Sequence, residues 1–525
     1  MTHTHRHVIA AAIFLLAALQ FWAVAWLSDD ALISLRQVYL LGEGQGMTWN
    51  IGQRVQAFTH PLWFLLLSAG YALTGSLYEM TLVMSAVLWV AALAIYARTA
   101  LARPGWIGLM LLALPILTLS IRDYTTSGLE TPLSLFLAAT LFRLNGKLLW
   151  LALAALLLTR PDHAVQFGPL AFVLLARGEG RLRDLWPGLV LLLGWHGFAL
   201  VYFGMPLPNT FYAKAGGGIG LLPRLLTGGG YFLNALLYLP VTVLLLALGT
   251  RAGLLAKAAD GQPKTRHRDA AIALGILAHV VYLVWIGGDF MQGRFLAVDT
   301  FLACFLIARN ASVTLIRRAG IAAVLIATVY TRPYIVPMQV EDIPFFNDER
   351  RFYAQPYALR SKGRVWPQPN PPSEVAPIGY RAECGMIGGA RIDWPDKVWI
   401  IDVCALTDPF LARLPALQQA GYRPGHLNRA IPDNYHLALA GIEPLTDANA
   451  RALFEDIQAV STGPIFTKPR FQAIWRLLSG HHQPDPDDWR HSGAGLTYGM
   501  GFWMGGEHAG YPLYPPGLRE VFGKP

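Results

Sequence analysis

Charge is scarce in this sequence. Of its 525 residues, 14% are Asp, Glu, Lys or Arg, where a soluble globular domain carries ~25%. Hydrophobic residues supply 54%. That balance argues against an ordinary soluble enzyme and places the chain among polytopic membrane proteins. The charge that is present is unequal, with 42 basic against 33 acidic residues and a net charge of +9. The excess is not a nucleic-acid surface, because the basic residues sit mainly in short loops between apolar runs, as the positive-inside rule requires. Cysteine is scarcer still. Of three, Cys304 lies inside an apolar run, while Cys384 and Cys404 fall in the polar C-terminal part. These two fit a disulfide if that part is extracytoplasmic, and fit two buried thiols equally well. No internal repeat stands out. No small-residue cleavage site follows the first apolar run, which is therefore read as a retained span.

What is present is a series of apolar runs whose loops alternate in charge. Residues 8–27 form the first span, with Arg6 and several histidines on the cytoplasmic side. Residues 61–73 are short and interrupted by Gly70, with Gly75 just beyond. A crossing there would put every Arg/Lys-rich loop outside, so residues 61–75 are read as an interfacial helix on the outer surface. Further spans follow at residues 82–96, 106–121, 133–144, 148–158, 164–176, 189–203, 232–248, 271–286, 295–307 and 321–334. The sequence thus predicts a polytopic α-helical membrane protein of about eleven spans with the N-terminus cytoplasmic. After residue 336 the long apolar runs stop. Residues 337–525 are expected to fold as a mixed α/β extracytoplasmic domain, with a strand at 397–403 and helices at 447–459 and 469–478, the first capped by Thr446.

With this topology the inner loops carry plain Arg/Lys charge, and the outer ones carry mixed groups. These are Asp29, Asp30 and Arg36; Asp123 and Glu130; Arg160 and Asp162; Asn209 and Lys214; Asp289 and Arg294. Asp29 and Asp30 directly follow the first span, where charge is costly unless it is paired or used. Arg36 lies seven residues after Asp29, nearly the same face of a helix. Taken singly, each of these groups also fits a turn or a helix boundary. Taken together, acids supply a general base and bases hold a phosphate by charge-assisted hydrogen bonds. A phosphate at the membrane surface implies a lipid phosphate. The combination points to glycosyl transfer from a polyprenyl-phosphate sugar to a hydroxyl. One carboxylate suffices for an inverting displacement, and the second orients the acceptor or shares a divalent cation such as magnesium or manganese.

The motifs also resemble a known family. Residues 29–36 (DDALISLR), 44–55 (GQGMTWNIGQRV) and 59–63 (THPLW) are similar to the first extracytoplasmic loop of GT-C glycosyltransferases. The likeness is greatest to the actinobacterial arabinofuranosyltransferases of the AftB type. Residues 127–131 (SGLET), 159–162 (TRPD), 206–214 (PLPNTFYAK) and 287–295 (GGDFMQGRF) fit the same pattern, as do 402–413 and 424–432. The sequence departs from it at Gln53 and Gln56, where the family tends to carry glutamates, and at His60, which replaces a small polar residue.

The resemblance implies a GT-C membrane fold. It also implies a decaprenyl- or undecaprenyl-phosphate pentose donor and inverting transfer to a cell-envelope glycan or glycoconjugate outside the cytoplasmic membrane. Residues 28–60 become the catalytic outer loop, with Asp29 or Asp30 as base. Arg36, Arg160, Lys214 and Arg294 are the candidates for the donor phosphate. Asp123, Glu130, Asp162, Asn209, Asp289 and His60 are the candidates for sugar or acceptor hydroxyls. Trp49, Phe58, Trp63, Phe211 and Tyr212 fit packing on a prenyl chain, and equally an interfacial aromatic belt. The competing expectation is a transporter or flippase of a lipid-linked glycan, which calls for charges at mid-span and inverted repeats.

Overall fold

The structure, a computed structural model, describes residues 3–179, 181–215, 218–256, 263–329, 348–351, 353, 358–360, 379–383, 387–388, 398–416, 424–429, 431–432, 435–482 and 502–503. In chain order the helices are α1 (His3–Val24), α2 (Asp29–Gly42), α3 (Pro61–Thr74), α4 (Tyr78–Ala100), α5 (Gly105–Leu117), α6 (Leu119–Thr125), α7 (Thr131–Leu141) and α8 (Gly146–Thr159). They continue with α9 (His163–Ala176), α10 (Leu182–Tyr202), α11 (Asn209–Ala215), α12 (Leu221–Tyr238), α13 (Pro240–Leu254), α14 (Pro263–Ile286), α15 (Leu296–Asn310) and α16 (Val313–Val329). Beyond them come strands β1 (Gly379–Glu383) and β2 (Val398–Asp402), helices α17 (Tyr435–Ala440), α18 (Ala448–Ser461) and α19 (Lys468–Leu478), and strand β3 (Phe502–Trp503). The chain divides into two compact units, each assembled from separate stretches. One holds residues 1–28, 78–192 and 221–365; the other holds 29–77, 193–220 and 366–525.

The first unit is a helical bundle built around α15. Every residue of α15 from Leu296 to Ala308 is buried, which suits a helix apolar on all sides. Small residues let its neighbours close in. A Cβ at Gly249 of α13 would come within 2.4 Å of the Ala303 Cβ, and one at Gly275 of α14 within 1.9 Å of the Gln166 carbonyl on α9. Among the described residues, four helices are long and apolar enough to cross a membrane: 4–24, 78–100, 183–202 and 266–286. Two bent pairs raise the number to six.

Those bends correct the expectation of straight spans at 106–121 and 232–248. Helices α5 and α6 meet at 58°, where Thr118 is extended three residues after the in-helix Pro115. Helices α12 and α13 meet at 106°. There Pro240 lacks the N–H that would continue the helix, and Leu239 before it leaves the helical region. Apolar helices α7, α8 and α9 are shorter than a full crossing.

Basic residues at the helix ends gather in a network of their own. Arg6 donates to the carbonyls of Leu101 and Arg103. Arg103 donates to those of Ala308, Arg309 and Ala311, capping the α15 C-terminus. Arg309 pairs with Asp269 at 2.9 Å, and Arg268 with Glu179 at 3.0 Å.

The second unit joins α2, the loop after it, α3, the end of α10, α11 and the C-terminal part. Its sheet has the order β2-β1-β3, with β1 parallel to β2 and antiparallel to β3. The strand expected at 397–403 is β2, and the two expected helices are α18 and α19. The cap of α18 is Asp447, one residue later than expected, and its Oδ1 accepts from the Ala450 N–H at 2.6 Å. Phe410, Tyr435 and Phe454 form the aromatic centre of this part, with Trp399, Leu439 and Leu453 around them.

Candidate functional site

In the first unit, loops at helix ends bring four of the expected site residues together. Arg160 is the C-cap of α8 and Asp162 the N-cap of α9, with Pro161 turning the chain between them. The Arg160 guanidinium forks. Its Nε and one terminal nitrogen each lie 2.9 Å from Asp162, and the other terminal nitrogen lies 2.7 Å from Glu130. Arg294 approaches the same Glu130 oxygen at 3.5 Å. Phe295 sits beside both cations, 4.3 Å from the Arg160 guanidinium carbon and 5.8 Å from that of Arg294. Burial would raise Asp162, but the Arg160 charge and the hydrogen bond from His279 outweigh it and hold the carboxylate well below its usual range.

The cluster extends to groups that sequence reasoning missed. His279 of α14 lies 3.3 Å from Asp162 through Nε2 and 2.6 Å from Asp299 of α15 through Nδ1. With a carboxylate at each ring nitrogen, both contacts are hydrogen bonds only when the ring carries two protons. Gln166 donates to the other Asp299 oxygen at 2.5 Å, and His163 meets Ser134 at 3.0 Å. The available signal was an ionisable residue inside an apolar run, which His279 and Asp299 both are.

Asp289 lies buried on the loop at 287–295, which also carries Arg294. The loop is held from two sides. Tyr124 donates to the Gln292 carbonyl at 2.9 Å, and Gln292 donates to Asn234 at 2.9 Å. Gly288, at φ 75°, packs so closely on Tyr231 that a Cβ would sit 2.7 Å from the tyrosine's own. Asp123 belongs to a different group, bonded to Arg122 at 2.8 Å and 4.0 Å from Arg350.

In the second unit, α2 opens with Asp29 and Asp30 in its first turn, where the helix dipole favours negative charge. Asp29 is buried, and Asp30 is part-exposed. Arg36 is on the same helix, fully buried. Its Nε donates to the Trp49 carbonyl at 3.0 Å, and its guanidinium lies 5.0 Å from the Trp49 ring centre. The structure thus places Arg36 as an anchor for the loop after α2. Gln37 does similar work, donating to the Val55 carbonyl at 2.8 Å and accepting from the Ala57 N–H at 3.2 Å. His60 meets Ser34 at 2.7 Å. Asn50 imitates a strand neighbour of β2, donating to the Ile400 carbonyl at 3.0 Å and accepting its N–H at 2.9 Å.

Asn209 opens α11 and holds the turn after β2, donating to the carbonyls of Ala405, Leu406 and Asp408 at 3.0 to 3.2 Å. Lys214 is exposed near the end of α11. A cavity in this unit is lined by Arg54, Gln56, Asn209, Tyr212 and Arg413 among others. The buried Gln56 Oε1 accepts no hydrogen bond from the described residues. Two carboxylates, Asp402 at the end of β2 and Asp408 beyond it, were not singled out from sequence. Burial raises Asp402 to about 6 and Asp408 to about 7, against the opposing effect of the N–H and hydroxyl groups that donate to them. Cys404 is disulfide-bonded and Cys304 is free, while Cys384 lies outside the described residues. No group of three or more His, Cys, Asp or Glu among the described residues is arranged to hold a metal ion.

Comparison with characterised proteins fits this picture. Over 340 residues the chain is 29% identical to a terminal beta-(1->2)-arabinofuranosyltransferase of Mycobacterium tuberculosis, covering 53% of this chain and 52% of that protein. Over 326 residues it is 28% identical to a terminal beta-(1->2)-arabinofuranosyltransferase of Corynebacterium glutamicum, covering 53% of this chain and 47% of that one. The chain is similar to both over about half of its length. The matched region spans about half the length of these relatives. No family model matches, and no solved structure does.

Proposed function

We propose that the protein is an inverting membrane glycosyltransferase. In this reading it moves arabinofuranose from a decaprenyl- or undecaprenyl-phosphate donor to a hydroxyl of a cell-envelope glycan or glycoconjugate at the outer face of the cytoplasmic membrane. The observation that carries the reading is the likeness to two arabinofuranosyltransferases in a chain with several membrane-length apolar helices. The bundle crosses about eleven times, the shorter helices completing their crossings through polar ends. Residues 337–525 form the extracytoplasmic domain.

Asp29 or Asp30, at the start of α2, takes the proton of the acceptor hydroxyl as that oxygen attacks the anomeric carbon. The bond from that carbon to the phosphate oxygen breaks with inversion. The leaving phosphate gains one negative charge in the process, from diester monoanion to monoester dianion, and that charge calls for cationic stabilisation. Arg160 and Arg294 suit that role, since their forked pairing with Glu130 and Asp162 fixes them in place before the donor arrives. Asn209 and Gln56, which both line the cavity, are the groups assigned to sugar hydroxyls in this reading.

The test is transfer by the purified full-length chain from a synthetic decaprenyl-phosphate arabinofuranose to a panel of glycan acceptors, beside Asp29→Asn and Asp30→Asn. At least one variant is expected to lose ~100-fold or more of the rate while still binding donor. Transfer only with another prenyl-phosphate sugar would keep the mechanism and discard the pentose. Silence with every donor would favour the transport reading, which the buried His279–Asp299 pair also suits.

A further inference from the structure

The last helix, α19, carries three distinct faces. Arg470, Ala473 and Ile474 are buried. Gln472 and Ser479 lie on an exposed polar side. Between these runs an apolar stripe of Phe471, Trp475 and Leu478, spaced i, i+4, i+7, which puts all three side chains on one line along the helix. Trp475 is 72% exposed, and Phe471 and Leu478 are each 45% exposed. Phe466, just before the helix, is 81% exposed. Single exposed apolar residues are ordinary, but four large ones on one short segment are not.

The buried face says where this stripe lies. Arg470 is fully buried and spends its guanidinium on main-chain carbonyls. One terminal nitrogen donates to Val201 at 2.8 Å, the other to Tyr202 at 3.0 Å, and Nε donates to Val460 at 3.0 Å. Val201 and Tyr202 are the last residues of α10, whose stretch from 183 to 202 is long and apolar enough to cross a membrane. A cation capping the C-terminal carbonyls also complements the helix dipole. Leu200 of α10 packs against Ala473, Ile474 and Val460. Gly204 passes beneath them so closely that a Cβ would meet the Val460 side chain at 2.1 Å and that of Ile474 at 3.3 Å. Helix α19 is therefore held at the C-terminal end of a helix long and apolar enough to cross a membrane, and a crossing by α10 would put that end at the level of the lipid headgroups.

We propose that Phe466 and the Phe471–Trp475–Leu478 face of α19 insert into the lipid surface at the C-terminal end of α10. The occupant is the bilayer interface. An amphipathic helix at that depth buries an aromatic-rich face among acyl-chain ends and keeps its polar side in water, and aromatic rings favour that level. Lys468 at the start of α19 meets the lipid phosphates. The C-terminal domain is thereby fixed to the membrane at a set height by a second attachment beside α10 itself. The proposal stands independently of the reaction assigned to the protein.

The experiment places a nitroxide on the full-length chain at cysteine substitutions of Phe466, Phe471, Trp475 and Leu478, one at a time, with Gln472 as the control. The protein sits in nanodiscs of phosphatidylcholine and phosphatidylglycerol, and relaxation by oxygen is compared with relaxation by a water-soluble nickel chelate. Cys304 is buried and Cys404 bonded, so labelling reports the introduced site. At the four apolar positions the oxygen-to-chelate ratio is expected to exceed that at Gln472 severalfold. Ratios equal to that of Gln472 would place the face in water. Shielding from both reagents would place it against protein, such as a second copy. Either result overturns the proposal. The unsubstituted chain gives an independent reading: a photoactivatable phosphatidylcholine should form adducts on the peptide covering 466–478, and their absence counts against the insertion.

Discussion

Nδ1 of His279 lies 2.6 Å from the carboxylate of Asp299, with both side chains buried among the helices of the first unit. The pair links α14 to α15 and, through Asp162, reaches the Arg160 fork. Replacing one member of a buried ion pair leaves the other charge without compensation, at a cost of ~3 kcal/mol or more. Asp299→Asn should therefore lower the melting temperature of the detergent-solubilised protein, and His279→Gln should do the same. Combining them should cost less than the sum, with a coupling of ~1–3 kcal/mol. Strictly additive losses would show that the two residues act separately.

The Arg160 fork makes a sharper prediction about activity. A lysine keeps the charge but cannot reach Glu130 and both Asp162 contacts with one point-like ammonium. Arg160→Lys should reduce transfer on the order of 100-fold, equivalent to ~2.7 kcal/mol, through loss of oriented charge-assisted hydrogen bonds. Glu130→Gln should act in the same direction, because Arg160 and Arg294 both approach the Glu130 carboxylate. Initial rates at saturating donor, read beside a melting curve, separate lost positioning from lost folding.

Asp408 gives the second unit a pH dependence whose sign is fixed. Its folded pKa is raised to about 7 by burial, against ~3.9 for a free aspartate. Between those values the folded chain holds a proton that the unfolded chain has released, so stability is full below pH ~4 and declines as pH rises through about 7. In the protonated form one oxygen accepts the N–H groups of Phe410 and Leu411 at 3.0 and 2.9 Å, while the other, 3.0 Å from the Tyr435 hydroxyl, can donate to it. Asp408→Asn reproduces that pattern without a titrating group. Melting curves from pH 4 to 8 should fall for the native chain and be flatter for the variant, with the variant more stable at pH 8. Parallel curves would assign the pH dependence elsewhere.

Much of this molecule was legible from local patterns. The acid pair opens a helix because Asp29 and Asp30 follow the first apolar run and precede a helical alternation of apolar residues. Strand β2 was legible because 398–402 alternates and is β-branched. The Glu130–Arg160–Asp162 group was legible as a set of charges at helix ends, although its pairing was not. The rest depended on distance in sequence. His279 and Asp299 are each the one acidic or basic side chain within an apolar stretch, and only the packing of α14 with α15 makes them a pair. For Arg36 the sequence shows the charge but not the Trp49 ring and carbonyl that engage it. Pro240 stands inside the apolar run at 232–248, and the run's hydropathy alone does not show the break there.

The start of α2 is also reached from far along the chain, which provides a test of Asp29 that leaves its side chain untouched. A Cβ added at Gly388 would stand 2.1 Å from the Asp29 carbonyl oxygen and 2.8 Å from the Ile33 nitrogen. Both are backbone atoms of the first turn of α2, so no flexible side chain can absorb the overlap. The turn at 387–388 cannot simply retreat, because Ile387 is buried with Ile33, Trp49, Val55, Ala57 and Ile400. Gly388→Ala should therefore displace the first turn of α2. A displacement of ~1 Å at a catalytic carboxylate costs ~100-fold in rate. The overpacking should cost ~1–3 kcal/mol of stability, leaving the protein folded. Gly168→Ala is the matched control, since a Cβ there meets nothing within 4 Å and alanine favours its helix. If Gly388→Ala transfers sugar as fast as the control, the first turn of α2 does not carry the base.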